Sequence, residues 1–160
     1  MSAVPVLRTQ ALPALVNNEV REVYIPQEVL LSPRVPRLWP VDHPERTIIS
    51  WFGVRGRRVH SGIDIKCPLG TEVTATASGE VTLSGVMRGY GNIVVIDHGE
   101  GFETRYGHLQ SRAVETGQTV TAGACVGCLG QTGNASTYHL HYEVRYRAEA
   151  LDPNFFLPAE

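Results

Sequence analysis

From about Leu38 to the C-terminus the chain is written in short alternating runs. TEVTAT (71–76) and YHLHYEVRYR (138–147) alternate apolar and polar residues, and GEVTLSGV (79–86), NIVVIDH (92–98) and FETRYGHL (102–109) are further short strand-like runs rich in β-branched and aromatic residues, with glycine-rich breaks between them. A period of two, punctuated by turn formers, predicts strands joined by tight turns. QTVTAGACVGCLG (118–130) continues in the same style with β-branched and small residues. Helical periodicity is weak throughout, and only AEALDPNFFL (148–157) suggests a turn of helix. The pattern therefore predicts an all-β, antiparallel domain.

The opening of the chain reads differently. All sixteen glycines fall between Gly53 and Gly133, whereas six of the ten prolines lie within the first 40 residues. Proline fixes φ and removes a backbone donor, so residues 1–37 are expected to form an extended segment with at most short strands. Residues 38–160 form the expected domain. The first stretch, MSAVPVLRTQALPALVNN, is mildly apolar, but Pro5 and Pro13 interrupt it and no basic segment precedes a long apolar run. It does not read as a signal peptide.

Composition narrows the picture only slightly. With 160 residues and a net charge of −2, the chain suits one domain and shows no bulk attraction to nucleic acid or anionic membrane. No apolar run approaches the roughly 20 residues of a membrane span. Cysteines 67, 125 and 128 are odd in number, which excludes a fully paired disulfide scaffold.

The chemistry lies in the histidines. His139 and His141 are two apart on a predicted strand and so share a face. His60 and Asp64, in HSGIDI, are four apart; they share a face if the segment is extended and can converge if it bends at Gly62. His108 ends a strand-like run beside Gly107. Imidazole and carboxylate are ligand types that Zn²⁺ accepts, and three such ligands leave a fourth position for water, as in catalytic zinc sites. Four histidines and one aspartate exceed what a structural site requires, and the surplus suits hydrolysis.

The segments HSGIDIKCPLGTEVTATASGEVTLSG, GYGNIVVIDHGEGFETRYGHLQ and STYHLHYEV, with H-x-x-x-D, Y-x-H-L and H-L-H in that order, resemble the lysostaphin-type (LytM-type) zinc endopeptidases over roughly Leu38 to Pro158. That family hydrolyses peptides in bacterial cell walls. The resemblance implies a main antiparallel sheet with a second smaller sheet, barrel-sandwich-like (the duplicated hybrid motif), and a substrate groove over the main sheet. It implies one Zn²⁺ per chain held by His60, Asp64 and His141, with His108 and His139 catalytic. The implied partner is a peptidoglycan peptide, either a stem or a cross-bridge, with neither nucleic acid nor a membrane span, and a monomer is the expected state. A wall substrate implies the periplasm or the cell exterior. One departure is visible: Thr137-Tyr138 precedes H-L-H where the family usually has Gly-Pro, which is expected to reshape the groove rim. The competing readings are a non-catalytic wall-binding or hydrolase-activating module and a β-domain whose histidines never meet.

Other residues carry less. His98 is expected to be structural and His43 solvated. Cys125 and Cys128, three apart, are expected on opposite faces of a strand, which disfavours a shared metal or a disulfide. Cys67 reads as core filler. RGRR (55–58) reads as a solvated turn or, less simply, a contact for an anionic substrate. Tyr90 and Tyr106 read equally well as residues flanking the groove or as buried packing, and Asn92 and Thr104 are weaker candidates as substrate donors.

Overall fold

The computed structural model describes residues 9–159. The reading of the opening residues as lacking signal character lies partly outside them, at residues 1–8. The elements follow in chain order as β1 Thr9–Val16, β2 Glu19–Pro26, a four-residue helix α1 Gln27–Leu30, β3 Thr47–Ser50, β4 Gly53–Arg55, β5 Arg58–His60, β6 Ile63–Lys66 and β7 Glu72–Thr74. Then come β8 Gly79–Met87, β9 Gly91–Gly99, β10 Phe102–Arg112, β11 Thr119–Val120, β12 Cys125–Leu129, β13 Leu140–Tyr146 and β14 Glu149–Leu151. A 3₁₀ turn, Pro153–Phe155, closes the chain. The suggested helical turn at 148–157 is thus a strand followed by that 3₁₀ turn, started by Asp152 accepting from Asn154 N–H.

The expected fold class holds. Twelve strands form one antiparallel sheet ordered β11-β8-β9-β10-β13-β14-β1-β2 along its spine, and β4-β5 form a separate two-stranded sheet. At its edges β13 pairs with β10 on one side and with β6 and then β14 on the other, while the far end of β10 turns to pair with β12. The strand β13 is buried on both faces. Leu140, Tyr142, Val144 and Tyr146 point into the hydrophobic core beside Tyr106, Ile63, Ile65 and Phe102. His139, His141 and Glu143 occupy the opposite face, also with little exposure.

The front of the chain is more ordered than its prolines suggest. β1 and β2 pair along their full eight-residue lengths, and β1 extends the sheet through Ala14 opposite Leu151 and Leu15 opposite Ala150. Pro13 is accommodated within β1, opposite Glu22. Leu12, Ala14 and Ile25 enter the common core, and burial of these apolar side chains offsets the proline's lost donor.

Two local irregularities alter the face on which side chains emerge. Between Cys125 and Gly127 the pairing with β7 slips by one residue, so Cys125 stands opposite Thr74 and Cys128 opposite Glu72. Thr74 and Glu72 are two apart and share a face, so the bulge brings both cysteines to one side, both half-buried. The opposite-face expectation fails for that reason; all three cysteines remain free thiols. His98 is fully buried, with Nδ1 2.8 Å from Ser78 O and Nε2 2.8 Å from Thr104 Oγ1, a structural position as expected.

Ile25 is fully buried on the hairpin. Replacing Ile25 with Ala should cost about 2–5 kcal/mol, read as a lowered urea midpoint at unchanged slope. A cost below about 1 kcal/mol would mean that the hairpin lies outside the cooperative core.

Candidate metal centre

The site is assembled from three separated stretches. β6 and β13 lie antiparallel with Asp64 directly opposite His141. This register puts His141 Nδ1 2.9 Å from Asp64 Oδ1. The chain bends sharply between β5 and β6, so His60, at the end of the small sheet, swings over this pair. Its Nε2 lies 3.2 Å from Asp64 Oδ1 and 3.3 Å from His141 Nδ1. The bend at Gly62, not a shared strand face, is what closes H-x-x-x-D.

These three atoms fit a divalent metal ion. Tetrahedral donors about 2.0–2.1 Å from a zinc ion stand roughly 3.3 Å apart, close to the 2.9–3.3 Å found. Among the described residues, His60, Asp64 and His141 form the one group of histidine, cysteine and acidic side chains close enough to share an ion. The outer nitrogens are also spoken for. His60 Nδ1 donates to Trp51 O at 2.8 Å, and His141 Nε2 donates to Glu143 Oε1 at 2.8 Å. In the neutral ring that binds a metal, each inner nitrogen is thereby left with its lone pair toward the shared point.

His108 and His139 stand beside this cluster, their ring centroids 4.8 Å apart and edge to face. His108 reaches the cleft through backbone distortion. The pairing of β10 with β9 shifts between Tyr106 and Leu109, and His108 takes a left-handed φ of 60°. That conformation costs a non-glycine residue about 1 kcal/mol or more. It is held by a 2.7 Å hydrogen bond from His108 N–H to Tyr90 O. His108 Nδ1 donates to Thr132 O and His139 Nδ1 to Thr137 O, both at 2.8 Å, so each Nε2 carries the lone pair in the neutral ring. His139 Nε2 lies 3.5 Å from Asp64 Oδ1. The turn at Gly91, with φ of 68°, and the loop at Gly133, with φ of 71°, touch back to back, where a Cβ on Gly91 would come within 2.4 Å of Gly133 N. That close approach seats Thr132 under His108.

All five predicted residues therefore line one cleft of about 360 Å³, together with Val59, Gly89, Tyr90, Asn134 and Ser136. Tyr90 flanks it, the first of the two roles open to it from the sequence. Tyr106 is instead core, fully buried, and so is Thr104. Asn92 Nδ2 is committed to Leu109 O and Gln110 O, so neither Asn92 nor Thr104 serves the cleft. Tyr138 lies at a neighbouring cavity with Lys66, whose Nζ sits 5.0 Å from its ring centre. In RGRR, Arg55 is tied to Ser50 Oγ and Trp51 O while Arg57 and Arg58 are exposed at the β4–β5 turn. His43 is half-buried, its Nδ1 accepting from Glu45 N–H.

One residue of the site went unnoticed in the sequence. Glu143 is fully buried, two positions beyond His141 and so on the same face of β13; extending the H-x-H alternation by one more step finds it. Its Oε1 also accepts from Ser61 Oγ at 2.6 Å and from Tyr90 Oη at 2.7 Å. Its Oε2 accepts from Arg145 Nε at 2.8 Å.

Known proteins with this sequence pattern and geometry form a consistent group. Residues 58–153 match the model for Peptidase family M23. An uncharacterized lipoprotein, YgeR of Escherichia coli, is 41% identical over 102 residues, which cover 63% of this chain and 40% of the relative. The murein hydrolase activator NlpD of E. coli is 36% identical over 121 residues, 75% of this chain and 31% of its own length. A zinc-containing peptidase from Vibrio cholerae superposes with a TM-score of 0.68 at 36% identity, covering 71% of this chain and 37% of that one. The chain thus spans well under half of the length of these relatives.

The charges of the cluster are interdependent. Burial opposes ionisation of Asp64, but hydrogen bonds from His141 and His60 hold its carboxyl far below the usual range. Glu143 is likewise opposed by burial and held low by the His141 hydrogen bond and charge, with Arg145 and Ser61 adding to it. His141 feels the converse. Burial disfavours its charge, yet its bonds to Asp64 and Glu143 raise its pKa from 6.5 to about 9. Burial lowers the pKa of His108, and the nearby His139 and His141 reinforce this. A group whose pKa rises on folding stabilises the fold fully below its unfolded value and ceases to do so above its folded value. The metal-free protein should therefore lose on the order of 2–3 kcal/mol between pH 6.5 and pH 9 from His141. Thermal melts in chelator should show this alkaline slope in the wild type and its loss in His141→Gln.

Proposed function

The chain belongs to Peptidase family M23, and from that premise we propose that it is a zinc-dependent endopeptidase that cleaves stem or cross-bridge peptides of bacterial peptidoglycan at the cell envelope. Residues 38–160 act as the catalytic domain in this reading. The observation that carries it is the convergence of His60 Nε2, Asp64 Oδ1 and His141 Nδ1 within 3.3 Å of one another beside two further imidazoles. Zn²⁺ held by those three atoms supplies a Lewis acid that polarises a carbonyl and lowers the pKa of water to about 7.

The chain's own residues do the rest. The cleft admits an extended peptide and sets its scissile carbonyl against the cluster. His108 is kept neutral by burial, so its Nε2 takes the proton of the attacking water and passes it to the leaving amine nitrogen. His139, which enters the cycle as the imidazolium with its second proton taken from solvent, donates Nε2–H to the oxyanion of the tetrahedral intermediate and keeps that proton when the intermediate collapses. The Thr132 and Thr137 carbonyls hold both rings in the tautomer that leaves Nε2 toward the substrate. NlpD, named as an activator of murein hydrolases, supports the cell-wall context, and the V. cholerae neighbour, named as a zinc-containing peptidase, supports the metal and the reaction class.

A second reading is favoured by the similarity to NlpD, a murein hydrolase activator: the chain binds wall peptide or a partner hydrolase without cutting. The two readings separate in one experiment. Purified sacculi or their soluble fragments incubated with the protein should yield new peptide termini by mass spectrometry, and a chelator should abolish them. Zinc bound at one ion per chain with no new termini would favour the activator.

The division of roles predicts opposite phenotypes for neighbouring histidines. His139→Ala should keep about one zinc per chain while hydrolysis falls by about 10²–10⁴-fold. His141→Ala should lose the metal and the activity together. Metal analysis beside a digestion assay checks both, and the reverse pattern would exchange the two assignments.

A further inference from the structure

Glu143 is not among the residues to which the reaction has been assigned, yet it is the most heavily bonded carboxylate near the cleft. It is fully buried. Its Oε1 accepts from Ser61 Oγ at 2.6 Å, Tyr90 Oη at 2.7 Å and His141 Nε2 at 2.8 Å. Its Oε2 accepts from Arg145 Nε at 2.8 Å, with Arg105 Nε 3.9 Å away. A buried carboxylate with this many charge-assisted bonds is fixed in place. A buried charge is also costly unless paired, so apolar packing alone does not account for it.

We propose that Glu143 is the positioning residue of the metal centre, selecting the His141 tautomer that presents Nδ1 as a ligand and locking the cleft wall at Tyr90 to the same carboxylate oxygen. The inference rests on the reading of His141 as a metal ligand.

The argument is one of competing acceptors. A neutral imidazole has one N–H and one lone pair. His141 Nδ1 faces Asp64 Oδ1 at 2.9 Å, and an aspartate attracts the ring proton to that side. With the proton there, Nδ1 has no lone pair to offer. The Glu143 carboxylate competes from the other side at 2.8 Å and draws the proton to Nε2. Each carboxylate thus bids for the same hydrogen, and the Glu143 end must win for Nδ1 to bind a cation. Partners of this kind raise ligand basicity and fix ring orientation in metal sites.

The surroundings are built to deliver Ser61 to this carboxylate. Gly62 lies against β13 so closely that a Cβ there would stand 2.2 Å from Tyr142 O and 2.9 Å from Glu143 Cγ. Only glycine permits that approach, and the approach carries both Ser61 and His60 to their partners. The same oxygen that holds His141 therefore also ties the β5–β6 bend and the Tyr90 turn, and the three walls of the cleft share one anchor.

The test uses the intact chain with Zn²⁺ and with Co²⁺ as a spectroscopic substitute. Glu143→Gln keeps the shape and removes the charge; it should weaken Zn²⁺ binding by about 10–100-fold and shift the Co²⁺ visible spectrum. Ser61→Ala removes one donor at the surface of the network and should weaken binding by only about 2–5-fold; it also serves if Glu143→Gln fails to fold. A purely structural Glu143 would lower the melting temperature of the metal-free protein and leave the affinity and spectrum of the folded variant at wild-type values. Unchanged Zn²⁺ affinity in the folded variants overturns the proposal while the metal reading stands. A wild-type chain that binds neither ion overturns both.

Discussion

The structure turns on one cross-strand pair, Asp64 on β6 opposite His141 on β13. Side chains alternate with a period of two, so a slip of one residue would exchange every side chain of β13 between core and cleft. The register is not enforced by the polar pair. It is enforced from behind, where Leu140, Tyr142, Val144 and Tyr146 fill the core and β10 pairs along Phe102 to Gly107 with residues 146 to 141. The apolar face pins the strand, and the polar face of the same strand inherits its precision. Site geometry is thus a by-product of core packing, which is cheaper than holding long polar side chains in place one at a time.

The sequence made some of this legible and hid the rest for identifiable reasons. Period-two alternation is a local property, so the strands and the shared face of His139 and His141 could be read directly. The meeting of His60 with Asp64 could be anticipated only as an alternative, because it depends on the bend at Gly62 and on how tightly that bend lies against β13. His108 was placed by its motif, but its route to the cleft, a register shift and a left-handed backbone, is set by pairing with β9 and by the Tyr90 carbonyl. Partner-dependent irregularities of this kind leave no trace in one strand's own pattern, and the slip that gathers Cys125 and Cys128 onto one face is a second case. The β1–β2 hairpin was obscured by Pro13, which disfavours a strand locally but is overridden once Leu12, Ala14 and Ile25 find the core.

Charge explains why the cleft is both stable and poised. Asp64 and Glu143 are acids held ionised against burial, and His141 between them is a base held protonated against burial. In the absence of a cation the three groups satisfy one another, so the fold need not leave a buried charge unpaired. A divalent cation held by His60, Asp64 and His141 would take the place of a proton on His141, and its charge would then balance the same two carboxylates. The buried charges of the cluster are therefore compensated by one another within the protein.

A single rule organises all four histidines of the cleft. Each has one ring nitrogen held by an oxygen acceptor of the protein, and the other turned inward. For His60, His108 and His139 the acceptor is a backbone carbonyl, at Trp51, Thr132 and Thr137. For His141 it is a carboxylate. A carbonyl can only accept, so it fixes a tautomer without adding charge; that suffices where the inner nitrogen stands 3.2 Å or more from Asp64 Oδ1, as for His60 and His139. His141 is the ring whose inner nitrogen meets an aspartate at the shortest distance in the cluster. At that distance a neutral acceptor on the outer side competes less well with Asp64, and a second negative charge restores the balance. The buried glutamate is thus explained by the same electrostatics that brings the aspartate into the site. The arginine beside it follows in turn, since Arg145 bonded to the far oxygen compensates the added charge.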